Sequence, residues 1–190
     1  SEERGNIFWD GLKKLRENYG MDKNDLVEFM SNSVGSAMAS EHAQDFWTGV
    51  TKLNETLKLD KKEMIKLCGR DSVAAALKND KKSCRFFNAI DKAIAIGIED
   101  KAHIINFLTN HVSQIVQENE GEYWEKLKMI KNCKMPMKNL LSILSHRNLP
   151  PKLLEENFTE QLVTVLNCIG ERKTLKFLRT TNTINLMSEY

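Results

Sequence analysis

Short polar segments recur along this chain, and their side chains offer hydrogen bonds and charges. The segments read SNS, GRDS, TNH, HRN and TTNT, and an aliphatic residue follows each of them. Amide, hydroxyl, guanidinium and imidazole groups can recognise another molecule by donating and accepting hydrogen bonds. We call these segments the polar tips, because we expect them to be exposed loops between helices. We predict that they bind a partner through the following residues: Asn32, Ser33, Arg70, Asp71, Asn110, His111, Arg147, Asn148 and Asn182. The alternative is that they are ordinary turn and capping residues.

The titratable residues do not form a recognisable catalytic or metal-binding pattern. No histidine has a cysteine or a carboxylate at a typical metal-ligand spacing. The four histidines are His42, His103, His111 and His146. The sequence also contains no glycine-rich phosphate loop, nucleophile elbow or HExxH motif. We therefore expect a protein that is not an enzyme and that uses no cofactor, metal or small-molecule substrate.

Large apolar residues mark a repeat that would position the polar tips. The markers are spaced by 38, 40, 37 and 38 residues: Trp9, Trp47, Phe87, Trp124 and Leu162. Apolar residues also stand three and six positions after every marker. Because 41% of the residues are apolar, chance would fill all these positions on the order of once in a million. We predict a single array of five units with these approximate bounds: 1–39, 40–78, 79–118, 119–156 and 157–190.

Each predicted unit carries the pattern of two amphipathic helices. Apolar residues at offsets 0, 3 and 6 from the marker give one buried stripe, and the first four units carry a second stripe at offsets 17 and 20. Segments such as VGSAMA and SVAAAL predict a short third helix, and no period-two alternation indicates a strand. The predicted fold is all-α, specifically an α-solenoid of about five repeats, each reading helix, turn, helix, loop and short helix.

Pairs of adjacent large side chains predict how the units pack. Two or three helices cannot bury their own apolar stripe, so we expect Trp47 to lie between neighbouring units, with Phe46 widening the buried face. The alternative role of such rings, a stacking platform for bases, requires that they be exposed. Cys68 is expected to be a small, buried core residue with an inert thiol.

Two segments resemble repeats of the TAL-effector-like family. They are MDKNDLVEFMSNSVGSAMA, which begins at Met21, and IEDKAHIINFLTNHVSQIV, which begins at Ile98. The likeness covers about half of each unit. In that family a short variable loop joins two helices, and successive loops read successive DNA bases. The resemblance implies that the base-reading residues would lie among Asn32, Ser33, Arg70, Asp71, Asn110, His111, Arg147 and Asn148.

A row of lysines is a second feature that bears on nucleic acids. The candidates follow their markers by four or five residues, on the side of the helix away from the apolar stripe: Lys14, Lys52, Lys92 and Lys128. Such a row could contact phosphates without reading sequence. The alternative is a solvated surface, because Asp10, Glu55 and Asp91 lie close by in the sequence.

Composition limits the class of partner and the compartment. With 28 basic and 26 acidic residues, the chain lacks the strong net charge that is typical of many nucleic-acid binders. Its apolar runs are much shorter than the roughly 20 residues of a membrane span. Four well-separated cysteines without a CxxC pair predict reduced thiols in an intracellular protein, cytoplasmic or nuclear. The opening SEERGN has no Met and no signal-like stretch, so we expect a fragment of a longer protein.

These patterns favour a non-enzymatic helical-repeat scaffold that binds a protein partner through its aligned tips. Binding of double-stranded DNA through the same tips, as in the TAL-effector-like family, is the alternative. The two hypotheses differ in salt dependence, because DNA binding releases counterions and weakens steeply as salt rises. We expect no membrane partner.

Overall fold

Helices account for all the regular secondary structure in the described part of the chain, so the prediction of an all-α fold is confirmed there. The structure is a computed structural model that describes the following residues: 2–31, 33–115, 120–133, 135–144 and 149–178. The chain divides into two compact units, Ser1–Ile90 and Asp91–Tyr190. None of the described helices combines the length and the apolarity that crossing a membrane would require.

The chain begins with two sets of one long helix followed by two short helices. The first unit contains α1 Glu2–Tyr19, α2 Lys23–Met30, α3 Ser33–Met38, α4 Ala43–Leu57, α5 Lys61–Cys68 and α6 Asp71–Leu77. The next helix, α7 Asp80–Ala95, begins in the first unit and ends in the second. The second unit continues with α8 Lys101–Ile115, α9 Glu120–Asn132, α10 Met137–Leu144, α11 Leu149–Lys152, α12 Phe158–Ile169 and α13 Glu171–Leu178. We call α1–α3 the first repeat and α4–α6 the second repeat.

Aspartates start the second helix of successive repeats. Asp22 and Asp60 each form a capping box, in which the aspartate accepts a backbone N–H and an acidic residue three positions later, Asp25 or Glu63, accepts the aspartate's own N–H. Asp100 accepts a backbone N–H at 3.1 Å at the start of α8. These side chains pair the backbone donors that a helix start leaves free. The start of each of these helices is therefore fixed by an aspartate next to it in the sequence.

Glycines with positive φ angles follow the ends of three helices. Gly20, Gly97 and Gly170 have φ angles of 63°, 91° and 74°, in the left-handed region that favours glycine. After α7, the Lys131 ammonium donates a hydrogen bond to the carbonyl oxygen of Ile96 at 3.0 Å. A Cβ at Gly97 would lie 2.7 Å from that nitrogen, so a larger residue would disturb both the turn and its cap.

Equivalent helices of the first and second repeats pack against each other. In the first unit α4 contacts α1, α5 contacts α2 and α6 contacts α3. Their facing side chains form a continuous apolar core, whose members include Leu15, Phe29, Met38, Phe46, Leu53, Met64 and Leu77. Burial of this apolar surface is the main force that holds the two repeats together.

Trp47 fills the seam between α4 and α1. Its side chain is only 6% exposed, and a Cβ at Gly11 of α1 would overlap its indole ring. Glycine at that position therefore makes room for the ring. Trp47 is therefore buried between α4 and α1, and its burial excludes a base-stacking role for this residue.

Adjacent rings in successive repeats adopt the same edge-to-face arrangement. The ring centroids are 5.3 Å apart for Phe8 and Trp9, 5.6 Å for Phe46 and Trp47, 5.6 Å for Phe86 and Phe87, and 5.9 Å for Tyr123 and Trp124. Interplanar angles of 69° to 85° suit the attraction between ring edges and ring faces.

The second unit also pairs helices from successive predicted repeats. Within it α9 contacts α12, and α10 contacts α8 and α13. Lys126 of α9 and Glu160 of α12 form an ion pair at 2.9 Å, and this contact holds the pKa of Glu160 below its ordinary value. Phe107 and Trp124 pack with centroids 5.6 Å apart. The core of this unit is therefore aromatic where α8 meets α9.

The prediction of a loop at Thr109–His111 is wrong. The helix α8 continues through Asn110 and His111 to Ile115. The Thr109 hydroxyl donates to the carbonyl oxygen of Ile105 at 2.8 Å, inside the helix, rather than capping a new helix. No glycine, proline or aspartate interrupts this segment, so nothing local stops the helix.

Two marker-based predictions of burial are also wrong. Trp9 is 67% exposed, although it stands at the same repeat position as Trp47. Trp9 and Gly11 are two positions apart, which corresponds to a rotation of about 200° around a helix, so Trp9 lies on the other side of α1 from the ring of Trp47. Cys168, six positions after the fifth marker, is exposed as well. Cys68, in contrast, is fully buried as predicted, and its burial raises the pKa of the thiol to about 12.

Candidate binding groove

A groove runs between α2 and α5 and ends at the first two polar tips. It has a volume of about 550 Å³ and is lined by Asp25, Glu28, Ser31, Lys62, Ile65, Lys66, Gly69 and Arg70. Because α2 and α5 are equivalent helices of successive repeats, their C-terminal ends reach the same end of the groove. Ser31 of the first polar segment and Gly69 and Arg70 of the second all line this groove. We call this feature the tip groove.

Local hydrogen bonds shape the end of the tip groove. Ser31 ends α2, where its hydroxyl donates to the carbonyl oxygen of Glu28 at 2.6 Å. Gly69 ends α5, where its N–H donates to the carbonyl oxygen of Ile65 at 2.9 Å. A Cβ at Gly69 would come within 2.5 Å of that oxygen. These contacts set the direction in which Arg70 leaves the helix.

The two walls of the tip groove carry opposite charges. Asp25 and Glu28 come from α2, whereas Lys62, Lys66 and Arg70 come from α5 or the tip after it. Glu28, Lys62, Lys66 and Arg70 are all exposed. A bound molecule would therefore meet an acidic wall on one side and a basic wall on the other.

An ion pair joins the walls beside the tip groove. The Lys61 ammonium donates to the Asp25 carboxylate at 2.7 Å. This hydrogen bond holds the pKa of Asp25 below its ordinary value and raises the pKa of Lys61. Asp25 also accepts the N–H of Asp22 in the capping box. One carboxylate thus links the start of α2 to the neighbouring repeat.

The predicted tip residues are distributed unevenly between groove and helix. Arg70 lines the tip groove, and Asp71 is exposed in the first turn of α6, where its charge suits the helix dipole. Ser33 begins α3 and is half-buried. Asn110 and His111 lie within α8. The remaining predicted tip residues fall outside the described residues: Asn32, Arg147, Asn148 and Asn182.

The predicted phosphate-contacting lysines differ in their surroundings. Lys14 is exposed on α1. The Lys52 ammonium lies 4.3 Å from the centre of the Phe87 ring, a cation–π contact. Lys128 is paired with Glu125 at 2.7 Å, and Lys92 is half-buried. Their role in binding phosphate stays a prediction, and for Lys52 and Lys128 it would compete with these contacts.

No protein-family model, curated protein or solved structure matches this chain. The resemblance to TAL-effector-like repeats therefore stays a prediction. Within the part of the chain that the structure describes, no group of three or more His, Cys, Asp or Glu residues is placed to hold a metal ion.

Sequence reasoning missed Glu28, Lys62 and Lys66 as groove residues. A signal for two of them was present, because Glu28 and Lys66 occupy the same position of the first and second repeats, 38 residues apart. A change of charge at a repeated surface position is typical of a variable binding face. Only the packing of α2 beside α5 shows that these two positions face one groove.

Proposed function

We propose that this chain is a non-enzymatic helical-repeat scaffold that binds a protein partner through the tip groove. The packing of α4, α5 and α6 on α1, α2 and α3 supports this proposal, because repeat stacking is how helical arrays build extended binding surfaces. Continuation of the same stacking through the later repeats would give an α-solenoid with further tips along one edge. In that arrangement Arg147, Asn148 and Asn182 would extend the binding surface.

The opposed charges of the tip groove are the observation that carries the proposal. A polypeptide segment with both acidic and basic side chains can form ion pairs with Glu28 on one wall and with Lys66 on the other. The Ile65 side chain on the groove lining would contact an apolar part of the same segment. A uniform polyanion would instead meet the repulsion of Asp25 and Glu28.

Charge reversal on the two walls tests the proposal. The immobilised 190-residue protein would capture partners from an extract of its source, with quantification by mass spectrometry. Glu28→Lys and Lys66→Glu should each deplete the same set of captured proteins, because each places like charges opposite the bound segment. Both residues are exposed, so circular dichroism and thermal unfolding should remain unchanged.

A matched control separates the groove from net charge. Lys13→Glu makes the same charge change as Lys66→Glu at an exposed position of α1, and it should leave the captured set intact. If capture by Glu28→Lys and Lys66→Glu equals that of the wild type, the groove is not the binding site. If Lys13→Glu removes the same proteins, the capture reflects net charge alone.

Double-stranded DNA is the second candidate partner. The basic wall favours it, because Lys62, Lys66 and Arg70 lie along one side of the groove and could contact successive phosphates. Fluorescence anisotropy with a random duplex pool at roughly 50 and 200 mM salt tests this reading. Binding that is lost at the higher salt and in Lys66→Glu would favour DNA. Absence of binding at the lower salt would exclude it.

A further inference from the structure

The unpaired charges of the tip groove lie towards the end that the polar tips form. At the other end, the Asp25 carboxylate is already paired with the Lys61 ammonium at 2.7 Å. Within the described part of the chain, no ion pair or side-chain hydrogen bond engages the side chains of Glu28, Lys66 and Arg70. All three line the groove and are exposed. These three charges are therefore available to a bound segment.

Glu28 and Lys66 stand on opposite walls of the groove. They occupy the same position of the first and second repeats, on the neighbouring helices α2 and α5. Their charges are opposite, yet they form no ion pair, whereas Asp25 and Lys61 of the same two helices do. A chain that passes between these walls can therefore pair with Glu28 on one side and with Lys66 on the other.

The spacing on the basic wall matches the side-chain spacing of an extended chain. Lys66 and Arg70 are four positions apart, and Gly69 between them keeps right-handed helical angles, so the two residues are about 6 Å apart along the axis. In an extended chain, side chains two positions apart lie on one side at about 6.6 Å, and the side chain between them points to the opposite side. Two acidic residues at such positions can reach Lys66 and Arg70, and the residue between them then faces Glu28.

The lining of the groove favours an extended segment over a helix. A helix that docks in a groove buries an apolar stripe against an apolar floor. Among the described residues that line the tip groove, Ile65 is the one with an apolar side chain, and it is only 8% exposed. The groove therefore offers charges at a regular spacing but little apolar surface for a helix.

We propose that the tip groove recognises an extended segment of the partner in which two acidic residues flank one basic residue. This inference rests on the proposed binding function of the groove. The acidic side chains pair with Lys66 and Arg70, and the basic side chain between them pairs with Glu28. The order of charges gives the specificity, because a segment with the reverse order would place like charges against both walls.

Selection from a phage library of random nonapeptides tests the order of charges. The wild-type 190-residue protein should enrich peptides with consecutive acidic, basic and acidic residues. A triple variant with Glu28→Lys, Lys66→Glu and Arg70→Glu exchanges the unpaired charges across the groove, so it should enrich the order basic, acidic and basic. Because all three positions are exposed, the circular dichroism and thermal unfolding of this variant should match those of the wild type.

Affinities of one enriched peptide measure the effect of charge order and of charge position. Isothermal titration calorimetry compares it with a peptide of the same composition in which the basic residue is moved outside the two acidic residues. The rearranged peptide should bind about five-fold more weakly, as expected for loss of an exposed ion pair. Lys66→Glu should weaken binding of the enriched peptide by at least as much. Lys13→Glu makes the same charge change on α1 and should bind the peptide like the wild type.

The possible failures separate this inference from the proposed function. Enriched peptides that depend on Glu28 and Lys66 but place their acidic residues four positions apart would mean a helical segment, which overturns the inference and leaves the binding function intact. The same holds if no peptide is enriched while capture from the extract still depends on the groove. Peptides that bind Glu28→Lys and Lys66→Glu as tightly as the wild type would place the site elsewhere and overturn both.

Discussion

The first and second repeats place the same side chain in opposite environments. Trp9 and Trp47 share one repeat position, yet Trp9 faces solvent and Trp47 lies in the seam between α1 and α4. Met30 and Cys68 share another position, where Met30 is half-buried and Cys68 fully buried. The local sequence is similar in both repeats, so the difference comes from the neighbour that packs on each face. A repeat pattern predicts which side chains are available for burial, and the neighbouring helices decide which ones are buried.

The largest expected difference between the repeats is the cost of removing the tryptophan. Trp47→Ala should lower the free energy of unfolding by about 3 to 5 kcal/mol, because it leaves a cavity in the seam. Urea unfolding followed by circular dichroism measures this loss. Trp9→Ala is the control at the equivalent position and should change stability by no more than about 0.5 kcal/mol, as expected for an exposed residue. Equal losses in the two variants would contradict the contrast between the repeats.

Alanine substitutions at two glycines of α1 should change the free energy of unfolding by an intermediate amount. Gly11→Ala should destabilise the chain by about 1 to 3 kcal/mol, because the new methyl group overlaps the ring of Trp47. Gly5→Ala adds the same methyl group where nothing lies within 4 Å. It should stabilise the helix by up to about 1 kcal/mol. Both values come from urea unfolding at one protein concentration, and a gain from Gly11→Ala would show that the seam can repack freely.

The smallest expected effect concerns the ion pair between α2 and α5. The pKa of Asp25 is lowered by the hydrogen bond from Lys61, so the pair stabilises the fold above the ordinary carboxylate pKa of about 4. That contribution is lost as the pH falls through the lowered pKa. Lys61→Met should therefore reduce stability slightly at pH 7, and the difference from the wild type should vanish in acid.

Lys23 provides the control for this pH dependence. It stands 38 residues before Lys61, at the same position of the first repeat, and is exposed. Lys23→Met should give no difference that depends on acid pH. Urea midpoints for both variants between pH 7 and pH 3 would decide the matter. A loss at pH 7 that persists unchanged at pH 3 would mean that Lys61 acts through its hydrocarbon stem instead of its charge.

Much of the fold was predictable because helix formation and capping depend on short stretches of sequence. The spacing of the markers predicted where the long helices lie, and Gly20, Gly97 and Gly170 follow the ends of three of the helices. The repeated starts at Asp22 and Asp60 are also present in the sequence as DKND and DKKE, although the spacing of apolar residues does not reveal them. These features follow from backbone hydrogen bonds and from the free donors at helix ends.

The errors arose where a local signal was absent or ambiguous. A polar segment such as TNH resembles a tip, yet Thr109 bonds within its own helix and α8 continues. Of the candidate site, the sequence predicted Arg70 but missed Glu28 and Lys66, since charged residues cover most solvent-facing helix positions. Their shared groove depends on contacts between residues that are far apart in the chain.

The sequence by itself determined the helices, their caps and stops, and the period at which large apolar side chains return. These properties are set by interactions within a few residues, so they can be read in order along the chain. Only the tertiary structure decided that Trp47 is covered and Trp9 is not, that Gly11 holds a ring while Gly5 stays open, and that an acidic and a basic wall meet in one groove. Those outcomes depend on which helix packs against which, and burial of apolar surface depends on contacts that no local pattern specifies.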